Sequence, residues 1–141
     1  MSQTNVQFSV ACHIMAALAM NEGAPLRSAI LAGSVNADPT FVRRAVSKLA
    51  KAGLVTTTRG KGGACVMARP ASEISLLDVY RASEAPAAVA IHDYAVDQGC
   101  RVSRNIKQCM ASVLGEAQRD FEQRLARQTV ADVVGAIRQG A

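Results

Sequence analysis

Positive charge is concentrated in one part of this 141-residue chain, and that concentration limits the chemistry it can perform. Residues 26–70 contain eight lysines and arginines against a single acid, Asp38, which gives a net charge of +7. The remaining residues carry eight cations and ten acids, a net charge of −2. A contiguous basic segment attracts a polyanion, and nucleic acid is the natural candidate. A membrane surface is disfavoured, because no helical pattern pairs a basic face with bulky aromatic residues.

The side chains that could contact a duplex fall into two groups within this segment. The first group lies on a predicted helix after Asp38, on the side away from its apolar residues. Side chains near the start of such a helix usually reach base edges, and later ones usually reach phosphates. Arginine is the natural bidentate partner of guanine. We therefore predict base contacts from Thr40, Arg43 and Arg44, and phosphate contacts from Ser47, Lys48 and Lys51.

The second group lies on a glycine-rich loop with the sequence RGKGG at residues 59–63. Its glycines allow positive φ angles and a close approach to another surface. Arg59 is the candidate to enter a minor groove, where a narrow A·T-rich site attracts a guanidinium. The DNA-binding residues predicted for this loop are Arg59, Lys61, Gly62 and Gly63.

Three predicted helices and a hairpin position these two groups. Hydrophobic spacing predicts helices over residues 5–21 and 26–34, with Ile30 and Leu31 inward in the second, and a third helix over 39–52. Asp38 is the expected N-cap of the third helix, and Pro39 fits its first position. The runs LVTTT (54–58) and ACVMAR (64–69) predict a hairpin around the glycine loop. A helix-turn-helix followed directly by a hairpin is a winged helix.

The C-terminal part of the sequence predicts three further helices. Ser75 and Asp78 form a capping box for a helix over about residues 75–84, and Thr129 and Asp132 form another for the last helix. Between them, a long helix is predicted from Arg104. Its apolar stripe could pack within the same subunit, but the winged helix already has its own core elements, which favours burial by a second copy. The dimer-interface residues predicted from this stripe are Ile106, Met110, Val113, Ala117, Phe121 and Leu125.

The predicted fold is mainly α with a small β-hairpin, namely a winged helix-turn-helix domain plus a long C-terminal dimerisation helix. We expect the DNA-binding domain over residues 1–85, a sensor or linker loop over 86–103, and the dimerisation helices over 104–141. A two-fold symmetric dimer would present two copies of the third helix to a palindromic operator in double-stranded DNA.

The segment LAGSVNADPTFVRRAVSKLAKAGLVTTTRGKGGACVMARPASEISLLDVYRASE resembles the Rrf-two (BadM/Rrf-two) family of winged-helix regulators. SKLAKAGLV, RGKGG and ISLLDVYRA carry the match, and GCRVSRNI before the long helix is similar to the family's later portion. The resemblance implies a homodimeric bacterial transcription regulator, usually a repressor, with the long helices forming the dimer.

Some members of that family hold an iron–sulfur cluster on three closely spaced cysteines in the loop before the dimer helix. This chain has only Cys100 and Cys109 in that region, so a cluster is disfavoured and no cofactor is predicted. The spacing of nine residues does not match structural zinc either. Arg101 and Arg104 lie near Cys100 in the sequence, and neighbouring cations make a thiol more oxidisable. A redox switch that uses Cys100, with Cys109 as its resolving partner, is therefore a hypothesis; inert thiols are the alternative.

Motifs for catalysis and for membrane insertion are not found in the sequence. It has no phosphate-binding loop, dinucleotide fingerprint or nucleophile motif, so the chain is not predicted to be an enzyme. No run is long and apolar enough to span a bilayer, and the N-terminus lacks the basic start of a signal peptide, which predicts a cytoplasmic protein. The predicted function is sequence-specific DNA binding by a homodimeric repressor. A constitutive architectural or RNA-binding module, an iron–sulfur-dependent regulator, and a protein whose basic face binds an acidic partner remain as alternatives.

Overall fold

The computed structural model describes residues 6–58 and 63–140. The helices of these residues are α1 (Gln7–Met20), α2 (Ser28–Val35), α3 (Pro39–Lys51), α4 (Leu76–Ala82), α5 (Arg101–Ala126) and α6 (Val130–Gly140). The strands are β1 (Leu26–Arg27), β2 (Val55–Thr57) and β3 (Ala64–Met67), and a 3-10 helix spans Ala71–Glu73. The predicted fold class is confirmed, because a helix-turn-helix is followed by a small antiparallel sheet and a long C-terminal helix.

The helix-turn-helix consists of α2, a tight turn and α3. Asn36 ends α2 in the left-handed conformation with φ 55°, which asparagine tolerates better than most residues. Asp38 then caps α3 as predicted, since its Oδ1 accepts a hydrogen bond from the backbone N–H of Thr40 at 2.7 Å. Pro39 takes the first helical position, where its missing N–H costs nothing. The cap fixes where α3 begins, and therefore which of its side chains face solvent.

The wing contains a third strand that the sequence did not predict. β3 is central, with β1 and β2 antiparallel on either side of it. Leu26 of β1 pairs with Cys65, and Thr56 of β2 pairs with Val66. β1 has only two residues, too few to show the alternation that identifies a strand. The predicted start of the second helix at residue 26 is therefore wrong, and α2 begins at Ser28.

The hydrophobic core is built around α1, which packs against α2, α3, α4 and α6. Its fully buried side chains include Ile14, Met15, Leu18, Leu31, Leu49, Leu54, Ile74 and Val79. The prediction that Ile30 points inward is wrong, because its side chain is 59% exposed while Leu31 is completely buried. Adjacent helical residues differ by about 100° around the axis, so a helix that buries Leu31 on a narrow face turns Ile30 towards solvent.

Both predicted capping boxes are present in the C-terminal half. Ser75 and Asp78 exchange hydrogen bonds of 3.0 Å at the start of α4, and Thr129 and Asp132 exchange bonds of 3.1 and 2.9 Å at the start of α6. α5 begins at Arg101, three residues before the predicted start. Its N-cap is a cysteine, which sequence reasoning does not treat as a helix start signal.

The last helix returns to the winged-helix domain. Val130 of α6 belongs to the hydrophobic core, and its backbone N–H donates to the carbonyl oxygen of Ile74 at 2.9 Å. Val134 is also buried. α6 lies within the segment expected to supply the dimerisation helices, 104–141, and it packs into the core of the winged-helix domain. Every helix of the described residues is too short or too polar to cross a lipid bilayer.

Candidate nucleic-acid interface

α3 has one apolar side and one cationic side. Val42, Val46 and Leu49 are buried against the core. The exposed residues of the helix include five of the predicted DNA contacts, namely Thr40, Arg43, Arg44, Ser47 and Lys51. Because the helical period places these two sets on opposite sides, burial of the apolar side fixes the outward direction of the cations.

Lys48 differs from the other cations of α3. Its Nζ lies 3.5 Å from Oε1 of Glu84, which follows the end of α4. Arg43 donates from Nη2 to Oγ1 of Thr40 at 3.2 Å, which holds its guanidinium near the start of α3. Within the described part of the chain, no carboxylate lies within ion-pair distance of Arg43, Arg44 or Lys51. These three are free to contact a phosphate or a base, whereas Lys48 has an internal partner.

The base of the wing is held by hydrogen bonds next to the predicted basic loop. The backbone N–H of Thr58 donates to the carbonyl oxygen of Ala64 at 2.8 Å, and the N–H of Ala64 donates to Oγ1 of Thr58 at 3.0 Å. The carbonyl oxygen of Gly63 accepts from the N–H of Ser28 at 3.2 Å, which ties the wing to the start of α2. The other predicted loop contacts, Arg59, Lys61 and Gly62, lie outside the described residues and stay predictions.

α5 carries two adjoining apolar stripes along its 26 residues, a length of about 39 Å. One stripe lies against the chain itself. It includes Phe121, whose ring packs edge-on against Tyr80 with centroids 5.4 Å apart. The other stripe has the spacing i, i+4, i+7, i+11 and consists of Val102, Ile106, Cys109 and Val113; we call it the open stripe. Val102 is 65% exposed and Val113 is 59% exposed, so the described residues of the chain leave most of both side chains uncovered.

The dimer stripe predicted from the sequence mixes residues of both sets. Val113 and Ile106 lie in the open stripe, although Ile106 also lines a space shared with Met110. Met110 faces a segment of its own chain and Phe121 packs on α4, while Ala117 is exposed and Leu125 is half-buried. The sequence reasoning missed Val102 as a member of this stripe. The spacing of the open stripe extends to Val102, but the predicted helix began two residues later, at Arg104.

A hydrogen-bond network joins α4, α5 and the segment between them. The hydroxyl of Tyr80 donates to the carbonyl oxygen of Pro86 at 2.6 Å and accepts from Nε2 of Gln118 at 3.0 Å. Oε1 of Gln118 accepts from the backbone N–H of Ala88 at 2.9 Å. Phe8 of α1 packs edge-on against the Tyr80 ring, with centroids 5.2 Å apart. Tyr80 therefore connects α5 to the winged-helix domain.

Comparisons with known proteins agree with this fold. The family model for Rrf2, described as an iron-dependent transcriptional regulator, matches residues 4–136. This chain belongs to the Rrf2 family. Rrf2 is the Rrf-two family that the sequence resembles, and its members regulate transcription by binding DNA through a winged helix.

Individual known proteins also align over nearly the whole chain. YwnA of Bacillus subtilis (strain 168), named as an HTH-type transcriptional regulator, is 36% identical over 131 residues, which cover 92% of this chain and 96% of YwnA. A crystal structure of a protein described as DNA-binding is 33% identical with a TM-score of 0.69, covering 90% of this chain and 97% of that one. The crystal structure of a transcriptional regulator from Lactobacillus plantarum has a TM-score of 0.79 at 24% identity, covering 94% of this chain and 90% of that one.

The description of Rrf2 proteins as iron-dependent raises the question of whether this chain can hold iron. No three His, Cys, Asp or Glu side chains of residues 6–58 and 63–140 come together as metal ligands. The residues outside those ranges contain none of these four types. Cys100 and Cys109 are separated by nine residues at the start of α5, a rise of about 13 Å. These residues do not fit an iron–sulfur cluster bound within one chain.

The four thiols lie in different surroundings. Burial raises the pKa of Cys12 to about 12 and also raises the pKa of Cys65, so both stay protonated and unreactive at neutral pH. Cys109 is exposed on the open stripe. Cys100 caps α5, since its Sγ accepts from the N–H of Ser103 at 3.4 Å. A disulfide requires Cα atoms within about 7 Å, so Cys109 cannot resolve Cys100 in the same chain while α5 is intact.

Proposed function

We propose that this Rrf2 protein is a homodimeric repressor that binds a palindromic operator in double-stranded DNA. The observation that carries the proposal is the cationic side of α3, where Arg43, Arg44 and Lys51 are exposed and unpaired in the described part of the chain. A capped helix of this kind fits the major groove, and an adjoining wing fits the neighbouring minor groove.

The positions along α3 assign different tasks to its side chains. Thr40, Arg43 and Arg44 lie in the first two turns, and we propose that they read base edges. Ser47 and Lys51 lie later in the helix and contact phosphates, which give affinity without sequence preference. Lys48 contributes to DNA binding by exchanging Glu84 for a phosphate, so its net contribution is smaller than that of Lys51.

The open stripe of α5 is the observation that favours the proposed dimer. Its four residues recur at the spacing of a helix–helix seam, and a second copy of α5 would bury them by two-fold symmetry. The network around Tyr80 holds α5 against the winged-helix domain, so the seam also sets the separation of the two α3 helices. The two winged-helix domains of the dimer, which we call the two heads, are then fixed at one separation. They select two half-sites that lie about one helical turn, or a multiple of it, apart.

Repression follows from occupation of the operator, which excludes other proteins from the same DNA. We place this activity in the bacterial cytoplasm. Cys100 and Cys109 remain the candidates for a thiol response. A disulfide between Cys100 and Cys109 would have to link the two chains of the dimer, because α5 separates the two residues within one chain.

The test is fluorescence anisotropy with a labelled duplex that covers the region upstream of the protein's own coding sequence. At about 150 mM salt, we expect the protein to bind this duplex at least about a thousandfold more tightly than a scrambled duplex of equal composition. Equal affinity for the two would contradict sequence-specific regulation and would instead favour an architectural module.

Two arginine variants separate base reading from bulk charge. Arg44→Ala should weaken binding to the upstream duplex by about tenfold or more and reduce its preference over scrambled DNA. Arg119→Ala removes the same charge from the exposed surface of α5 and should leave both quantities unchanged. If the two variants behave alike, α3 does not read sequence.

A further inference from the structure

A cavity lies between α5 and the segment that leads to it from α4. Its volume is about 140 Å³. The apolar side chains that line it are Val89 and Ile91 from the segment, and Ile106, Met110 and Leu114 from α5. It lies on the side of α5 next to the open stripe and is distinct from the cationic side of α3.

Two hydrogen-bonded ties hold the segment against α5. On one side of the cavity, the N–H of Ala88 donates to the side chain of Gln118 at 2.9 Å. On the other side, the hydroxyl of Tyr94 donates to the carbonyl oxygen of Ser103 at 2.6 Å. Residues 89–93 must span α5 between these two fixed points. The cavity is therefore a product of the fold, because the ties hold the segment above the helix.

The two polar side chains that line the cavity are a lysine and a histidine, and both can donate a hydrogen bond from nitrogen. Lys107 comes from α5, and His92 comes from the segment, where its ring stacks on Tyr94 with centroids 4.7 Å apart. No acid lines the cavity, and no carboxylate of the described residues pairs with Lys107. An apolar lining with an ammonium and an N–H donor, and without a competing acid, is complementary to a small apolar molecule that carries one negative charge.

We propose that this cavity binds a small carboxylic acid, with its hydrocarbon part among Val89, Met110 and Leu114 and its carboxylate at Lys107 and His92. The volume is close to the roughly 150 Å³ of an apolar cavity that accepts benzene. A ligand with about six carbon atoms therefore suits this space, which is open to solvent on one side.

The position of the cavity gives the ligand a route to the DNA-binding surface. The tie at Ala88 continues through Gln118 to Tyr80, which packs on Phe8 of α1. A ligand that binds one arrangement of this network better than another shifts the separation of the two heads. This regulatory consequence rests on the proposed function, whereas binding of the acid does not.

Isothermal titration calorimetry of the full-length protein with three six-carbon compounds tests the ligand class. Hexanoate, hexan-1-ol and hexylamine each contain six carbon atoms, and they are anionic, neutral and cationic at neutral pH. We expect hexanoate to bind, the alcohol to bind about tenfold more weakly, and the amine to give no measurable heat. Absence of hexanoate binding overturns the proposal, and so does equal affinity for all three compounds.

Three variants locate the site. Val89→Phe should fill the cavity and abolish hexanoate binding, and it leaves the core intact because Val89 is largely exposed. Lys107→Ala should reduce hexanoate affinity to that of the alcohol, whereas Arg119→Ala, on the same helix but away from the cavity, should retain it. Wild-type affinity in Val89→Phe or in Lys107→Ala overturns the assignment.

The effect on DNA is measured separately, by repeating the duplex titration with and without saturating hexanoate. We expect the affinity for the upstream duplex to change at least about threefold in wild type and not in Val89→Phe. If the protein fails to bind the upstream duplex at all, the proposed function is wrong, but the calorimetric result still decides the cavity.

Discussion

The helices α3 and α5 are both amphipathic, but they use their apolar sides in opposite ways. α3 buries Val42, Val46 and Leu49 in its own domain and turns cations towards solvent. α5 has no fully buried residue and exposes Val102 and Val113 in its N-terminal half. Within one chain, the apolar side of α3 is buried, whereas part of the apolar side of α5 stays exposed.

This difference shows that an amphipathic pattern identifies a helix without saying what buries its apolar side. An outward cationic face is stable in water and available to a polyanion. Exposure of an apolar stripe to water is unfavourable, and burial against a second copy of the chain would remove that cost. Substitutions on α3 should therefore change DNA binding, and substitutions on α5 should change assembly, so the two properties can be tested separately.

The largest expected effect is on assembly. Val113→Glu places a carboxylate in the middle of the open stripe, where dimer formation would bury it without a partner. We expect the dimer dissociation constant to rise by about a hundredfold or more. Sedimentation equilibrium of the variant measures this change directly.

The matched control for this substitution is Ile30→Glu. Ile30 and Val113 are both 59% exposed, but Ile30 lies on α2, far in sequence from the open stripe. The control should assemble like wild type. If Val113→Glu also assembles like wild type, the open stripe is not the interface.

The next effect separates two lysines of α3 that lie one turn apart. Lys51→Ala removes a proposed phosphate contact whose lysine has no carboxylate partner among the described residues, so the slope of log affinity against log salt should fall by about 0.9. Lys48→Ala removes a cation that Glu84 already neutralises in part, so its loss of affinity should be smaller. Anisotropy titrations across a salt series compare the two variants, and Glu84→Gln should tighten DNA binding. A greater loss for Lys48→Ala would show that the ion pair with Glu84 does not restrain Lys48.

The smallest effect compares the N-caps of the two helices. The carboxylate of Asp38 accepts a 2.7 Å hydrogen bond, whereas the sulfur of Cys100 accepts one at 3.4 Å. Asp38→Ala should lower the free energy of unfolding by about 1 kcal/mol. Cys100→Ala should cost only a few tenths of that, because sulfur is a weak acceptor. Urea unfolding at one fixed protein concentration measures both variants, and equal losses would contradict the ranking.

α3 could be predicted in detail because its signals are local. The cap at Asp38, the proline after it and the spacing of the apolar residues all lie within one short stretch of sequence. β1 could not be predicted, because its two residues become a strand only by pairing with Cys65, far along the chain. The return of α6 to the core depends in the same way on contact between Val130 and Ile74.

The candidate nucleic-acid interface also combines features that local sequence signals predict with features that depend on contacts between distant residues. The exposed cations of α3 follow from helical periodicity, so the sequence could identify them. The pairing of Lys48 with Glu84 depends on how α3 and α4 pack, and no local pattern reports it. The open stripe was partly missed for a different reason, since its first member, Val102, lies before the predicted start of the helix.

The central claim, that two symmetric copies of α3 bind one duplex, is tested most directly by changing the spacing of the operator half-sites. An insertion of five base pairs between them rotates one half-site to the opposite face of the DNA, since a helical turn contains about 10.5 base pairs. We expect the parent duplex to bind two chains by native mass spectrometry, and the insertion to weaken binding by about tenfold or more. A complex that contains one chain, or an affinity that the insertion leaves unchanged, would contradict a symmetric dimer.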